Sequence, residues 1–448
     1  MSTTSIDRFA VPRAAGDSVV RILFLPVQAL VAAPVFLFLL TLTVFLFRPP
    51  DVTFYGVDRI ALGLLVAVVL VRAVALRHSI CLAAGFAGPM IGLSALAITS
   101  ALAHPFDAGT WSVLAAKTIV PFTLFWLSSI VFRDEAALIS LEKFLLILLA
   151  YLSFTAIAFL VGAHQLVFPR FILDESLGIH ADRARGPFLQ AVANGVTLNM
   201  LALLALDRYR RRMMPGIGHA LLLASLPLAI LATRTRGVWL SFAASVALLA
   251  LCAERGLRRV CLGLIGIGGV AFFAVLLVGD GLKDRLVERS PVEFRMAAYQ
   301  AGWEMFLERP FAGWGTNQVQ SQLPGRISTF AGQSFAVHNT YLDVLLEHGL
   351  LGLGLYLWLV ARLFQLRKGG TQEEPDTIAS VRSLWPLLLG VYFVNASFVV
   401  MNYQFVNGLL FTLAGILAAH SPSTGVAKEF SEEKRRPPSV FPTTDGRR

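Results

Sequence analysis

The feature that most constrains this chain is the recurrence of apolar runs of bilayer length, such as "FLLILLAYLSFTAIAFLV" (Phe144–Val161). A helix of roughly 20 such residues satisfies its own backbone hydrogen bonds and finds its favoured solvent in a hydrocarbon core about 30 Å thick. The sequence holds about twelve candidates: Leu25–Phe47, Ile60–Val74, Ser79–Ala103, Ser112–Phe132, Leu138–Val161, Leu189–Leu206, His219–Thr233, Val238–Ala253, Val260–Val278, Gly349–Phe364, Leu384–Met401 and Val406–Ala419. Composition agrees: 56% of the residues are hydrophobic, 15% are charged and the mean hydropathy is +0.69. A soluble domain carries about 25% charged residues. The expectation is an all-α polytopic membrane protein with about twelve transmembrane helices. Residues 1–420 would form one membrane-embedded domain, and the Pro-, Ser- and charge-rich residues 421–448 a disordered basic tail. The N-terminus shows no signal-peptide pattern, so the first apolar run reads as the first span.

The formal charge of +10 follows from topology. Lys and Arg gather between alternate runs, as in "DRYRRR" and "ERGLRR", and cytoplasmic loops collect such residues. That pattern puts both termini in the cytoplasm and argues against a nucleic-acid partner. It leaves two long segments outside, Gly162–Pro187 and the loop 280–348 between helices nine and ten. Cys81, Cys252 and Cys261 fall at cytoplasmic helix ends, without metal-ligand spacing.

The long loop opens with "SPVEFRMAAYQAGWEMFLERP". Ser290, Pro291 and Glu293 form a capping box, and Phe294, Ala297, Ala298, Ala301, Met305 and Phe306 recur at helical spacing until Pro310. The loop returns through "HNTYLDVLLEHG", with His338 at a helix start, Asp343 and Glu347 four apart, and Gly349 placed to end or kink the helix. A helix N-terminus lowers the pKa of a histidine, and a neutral imidazole there can accept a proton.

Several arginines defy the inside rule: Arg183 and Arg185 in "DRARGPF", Arg234 and Arg236 in "ATRTRGVW", and Arg295 in the loop helix. The planar guanidinium fork matches a phosphate, so a lipid diphosphate at the outer leaflet is the anion such a group would meet. Lys117 stands within a span with no evident partner. Asn194, Asn199 and Asn395 suit hydrogen bonds between helices. No metal-binding signature is present in the sequence.

Four stretches, "RGPFLQAVANG", "TRTRGVWLSF", "FRMAAYQAGWEMFLERPFAGWGTNQ" and "HNTYLDVLLEHGLLGLGLYL", resemble the O-antigen ligase family of bacterial membrane glycosyltransferases over about residues 180–365. That family also contains polysaccharide polymerases and protein O-oligosaccharyltransferases. The resemblance implies a GT-C-like helical fold in the inner membrane, surrounded by membrane lipids. It implies inverting transfer of a glycan from undecaprenyl diphosphate to an acceptor hydroxyl, on lipid A core or a growing polysaccharide, at the periplasmic face. It implies no metal and no other cofactor. Carried onto this chain, it makes His338 catalytic, with Asn339 and Tyr341 in support, and puts Arg185, Arg236, Arg295 and Arg234 at the diphosphate. At Arg234 the family more often has a small or polar residue. His348 has no counterpart to these roles and reads as structural. The alternative is a transporter or flippase for polysaccharide precursors, but the two halves show no repeat.

Overall fold

The computed structural model describes residues 33–48, 56–75, 84–211, 216–278, 290–327, 336–370 and 374–421. The expected tail, Cys81, the start of the first apolar run and parts of the long loop lie outside the described residues. The chain order is α1 (Pro34–Leu46), α2 (Gly56–Ala75), α3 (Ala84–Leu102), α4 (Ala108–Leu114), a π-helical turn (Ala115–Ile119), α5 (Val120–Val131), α6 (Glu135–Leu160), α7 (Ala191–Arg210), α8 (Ile217–Ala232), α9 (Arg236–Cys252), α10 (Arg255–Val278), α11 (Ser290–Glu308), α12 (Val319–Gln322), α13 (Thr340–Gln365), α14 (Asp376–Ala396) and α15 (Gln404–Ala419). No strand occurs among the described residues.

The all-α expectation holds, but the number of spans does not. Among the described residues six helices are long and apolar enough to cross a membrane, not about twelve: Gly85–Leu102, Ala108–Val131, Glu135–Leu160, Arg255–Ala274, Thr340–Lys368 and Asp376–Ala396. Helices α1, α8, α9 and α15 are apolar but hold only 10–17 residues each. At 1.5 Å rise per residue they fall short of a core about 30 Å thick. Polar residues interrupt the two remaining runs: Asp58, Arg59 and Arg72 in α2, and Asn194, Asn199, Asp207 and Arg208 in α7.

The short helices have their own logic. A helix that is apolar all round must be surrounded. Helix α15 is buried from Phe405 to Ala419, and α7 is buried over most of its length. Helix α5 packs on α15, α14 on α7, α6 on α8, and α9 on both α10 and α14. A buried polar seam ties three of these together. Asn199 Nδ2 donates to Ser241 Oγ at 3.1 Å, Asn395 Nδ2 donates to the same hydroxyl at 2.9 Å, and Ser245 Oγ donates to Asn199 Oδ1 at 3.3 Å. Asn199 and Asn395 thus bridge helices as expected, whereas Asn194 Nδ2 donates to the loop carbonyl of Ala184 at 2.8 Å.

Two features of α13 position the site. It breaks at Gly349, where φ is 63° and ψ is −161°. Any Cβ there would stand 2.2 Å from the Phe311 carbonyl oxygen, so glycine is required. Before the break, the stretch Thr340–His348 packs under α11. Ala298, Ala301 and Met305 bury against Val337 and Leu346, the face the sequence predicted. The following turn is pinned to the same stretch, with Trp314 N donating to Leu346 O at 2.8 Å and Gly315 N to Glu347 O at 2.9 Å.

Candidate active site

His338 stands one residue before the helix cap, in the left-handed region at φ 51°. Histidine tolerates this region better than most residues, at some cost. The cap is Asn339, whose Oδ1 accepts from Tyr341 N at 3.0 Å and Leu342 N at 3.1 Å. The imidazole is half-buried and meets the Phe294 ring of α11 edge-on, with centroids 5.9 Å apart. Burial, and after it the Arg295 charge, holds the pKa of His338 below the ordinary histidine value. The ring is therefore neutral at neutral pH. The sequence traced that effect to the helix dipole, but the structure supplies desolvation and a neighbouring cation instead.

The segment joining α14 to α15 fixes this end of α13. Thr340 Oγ1 donates to Val399 O at 2.8 Å and accepts from Met401 N at 3.0 Å. Tyr341 OH donates to Phe393 O at 3.0 Å. Next to Val399, Phe398 has the Arg295 guanidinium 6.0 Å from its ring centroid. The same ring lies against the start of α9, where a Cβ on Gly237 would be 3.3 Å from it. The elements that carry His338, Arg295 and Arg236 therefore meet at the 397–401 segment, through Thr340, Arg295 itself and Gly237. Arg236, the first residue of α9, is exposed and forms no hydrogen bond or ion pair with described residues. Arg295 likewise has no ion pair there.

The other two arginines sit apart. Arg234, at φ 46°, is 4.0 Å from the Asp182 carboxylate and partly exposed. Arg185 is fully buried. Its Nε donates to Ile172 O at 3.0 Å, and its other nitrogens donate to the carbonyls of Leu177 and Asp174. All three guanidinium nitrogens hold the 172–177 loop together, leaving no face for a diphosphate.

A second polar cluster was only half legible. Lys117 lies in the π-helical turn and donates to Asp343 Oδ2 at 2.5 Å and Glu347 Oε2 at 2.9 Å. The other Glu347 oxygen accepts from Asn317 N at 2.7 Å, and His348 is buried beside it. The π turn frees carbonyls, and Asn407 Nδ2 caps that of Ala116 at 2.9 Å. Sequence flagged Lys117 and the spaced carboxylates separately. Their meeting, 226 and 230 residues apart along the chain, leaves no local signal. Thr340 and Phe398 were missed for the same reason. Among the described residues no three His, Cys, Asp or Glu side chains are grouped to hold a metal ion.

Residues 219–357 match the family model described as O-antigen ligase. Over this stretch the chain is similar to the O-antigen ligase family. The matched stretch includes Arg234, Arg236, Arg295, His338, Asn339 and Tyr341, and it leaves out Arg185 and Lys117. At the family level the chain is an enzyme, a ligase-type glycosyltransferase of polysaccharide assembly that works on lipid-linked glycans in a membrane. The match supports this reading over the transporter alternative. No curated protein matches the chain.

Proposed function

We propose that the chain transfers a glycan from undecaprenyl diphosphate to an acceptor hydroxyl, on lipid A core or a growing polysaccharide, at the periplasmic face of the inner membrane. Residues 1–420 work as one membrane unit in this reading. The observation that carries it is the meeting, at the segment 397–401, of the elements that bear a neutral imidazole, His338, and two guanidiniums, Arg236 and Arg295, that form no ion pair with described residues.

The acceptor oxygen attacks the anomeric carbon from the side opposite the diphosphate. As that bond forms, the carbon–oxygen bond to the diphosphate breaks and its electron pair leaves with the phosphate oxygen. Arg236 and Arg295 offset the charge that gathers there, and fixed cations cost no reorganisation at the moment of reaction. His338 takes the acceptor's proton, with Asn339 holding the helix start and Tyr341 anchoring it to α14. Arg234 adds charge at the rim. Arg185 has no part in the diphosphate site, because its donors are committed to the loop.

Proton transfer of this kind contributes about 10²–10⁴ in rate. His338→Ala should lose glycan transfer by that factor while the protein still accumulates in the membrane. Wild-type turnover by this variant removes the catalytic role. Arg236→Lys should also fail, because an ammonium cannot hold phosphate oxygens bidentately.

A further inference from the structure

A polar cleft of about 500 Å³ lies between the turn joining α3 to α4 and the segment entering α12. That volume falls within the ~300–1,000 Å³ of small-ligand sites. His104, Asp107 and Thr110 line one side, and Asn317, Gln318 and Gln320 the other. We propose that this cleft is a sugar-binding subsite for glycan residues remote from the reacting bond, a proposal that rests on the transfer reading above.

The lining selects the ligand class. No Lys or Arg faces the cleft, so a phosphate finds no cation. No large apolar side chain lines it, so an acyl chain finds no wall. Amides, a carboxylate, a hydroxyl and an imidazole place donors beside acceptors, which matches the adjacent hydroxyls of a pyranose.

The walls are fixed beforehand. Asp107 accepts from Thr110 N and Thr110 Oγ1, each at 2.7 Å. Asn317 Nδ2 donates to Thr110 Oγ1 at 3.3 Å, closing one wall on the other. Thr316 N donates to Ser100 Oγ at 2.9 Å. His104 Nδ1 donates to Ser100 O at 2.9 Å. The turns meet closely at Gly315, with φ at 106°, where a Cβ would stand 2.8 Å from His104 Cε1. Against this frame the side-chain amides of Gln318 and Gln320 have no partner among the described residues.

The position fits as well. Asn317 is bonded to Glu347, near the far end of the helical stretch that His338 precedes. From Thr340 to Glu347 that stretch rises about 10 Å, the reach of a short oligosaccharide.

The test uses the full chain in lipid nanodiscs. Two saccharide probes, oligosaccharide released by mild acid from the host's surface polysaccharide and delipidated core oligosaccharide, are titrated by saturation-transfer NMR, and inorganic pyrophosphate is titrated by phosphorus-31 line broadening. The wild type should bind one of the two saccharides, which identifies the donor or the acceptor as its source. Gln318→Ala/Gln320→Ala should weaken that binding about tenfold at an unchanged thermal midpoint, and leave pyrophosphate binding as it was. No saccharide binding by the wild type, or equal affinity in the double variant, overturns the subsite. The transfer reading fails by a different result, His338→Ala turning over at the wild-type rate, which leaves the saccharide titration standing.

Discussion

His338 is half-buried and Arg185 fully buried, and that difference decides what each can do. Partial burial lowers the pKa of His338 and leaves the ring within reach of a substrate. A base works in its deprotonated form, so transfer should rise with pH through the pKa of His338 and level off above it. Because that pKa is depressed, the acid limb of kcat/KM should lie below pH 6.5, the ordinary histidine value. Arg295→Ala removes the cation that disfavours protonation, so the limb should move to higher pH as kcat falls. A limb that stays put would separate Arg295 from His338. Arg185 behaves as a structural cation. Arg185→Ala strands three buried carbonyls, each worth roughly 1–3 kcal/mol when left unsatisfied. It should lower the thermal midpoint in detergent, whereas Arg236→Ala, which removes no hydrogen bond, should leave the midpoint in place and lose transfer. Sequence could not separate these two arginines. Both stand outside apolar runs, and only the fold shows which one the loop has wrapped.

Among elements, α13 was the most legible. Its start beside His338, its break at Gly349 and the α11 face that covers it all follow from spacing and residue type. The π-helical turn was not, since nothing in "AAKTI" marks an extra residue in a helix. Its consequence is that Lys117 is presented to Asp343 and Glu347, where one largely buried cation pairs with both carboxylates. Removing one partner of such a buried pair costs about 3–5 kcal/mol, because the remaining charge loses its counterion. Lys117→Met should therefore destabilise the protein strongly. Adding Asp343→Asn and Glu347→Gln, which removes the orphaned charges, should recover much of the loss. A triple variant no more stable than Lys117→Met would mean that the lysine acts through packing alone. The same cluster ties α5 to the stretch that follows His338, so milder changes such as Lys117→Arg should lower kcat more than they raise KM.

For the whole molecule, runs of apolar residues gave the fold class but overcounted the spans, because a run reports apolarity and not what surrounds it. Helix α15 is apolar since other helices enclose it, and α7 carries Asn199 because a neighbouring helix supplies Ser241. At the end away from His338, Arg208 and Arg211 pair with Glu142, Arg210 with Asp207, and Arg382 with Glu374. At the site end Arg236 and Arg295 form no ion pair with described residues. The proposed orientation, with the site outside, is testable on α6. This 26-residue helix rises about 39 Å, more than a hydrocarbon core of about 30 Å. Glu135 and Gln165 are exposed near its opposite ends, and Gln165 belongs to the segment that leads to Asp182 beside Arg234. With Cys81, Cys252 and Cys261 replaced by serine, Gln165→Cys should react with a membrane-impermeant maleimide on intact cells. Glu135→Cys should react only after permeabilisation. The reverse pattern would put Arg236 and Arg295 in the cytoplasm, where a lipid-linked glycan already carried to the outer face cannot meet them.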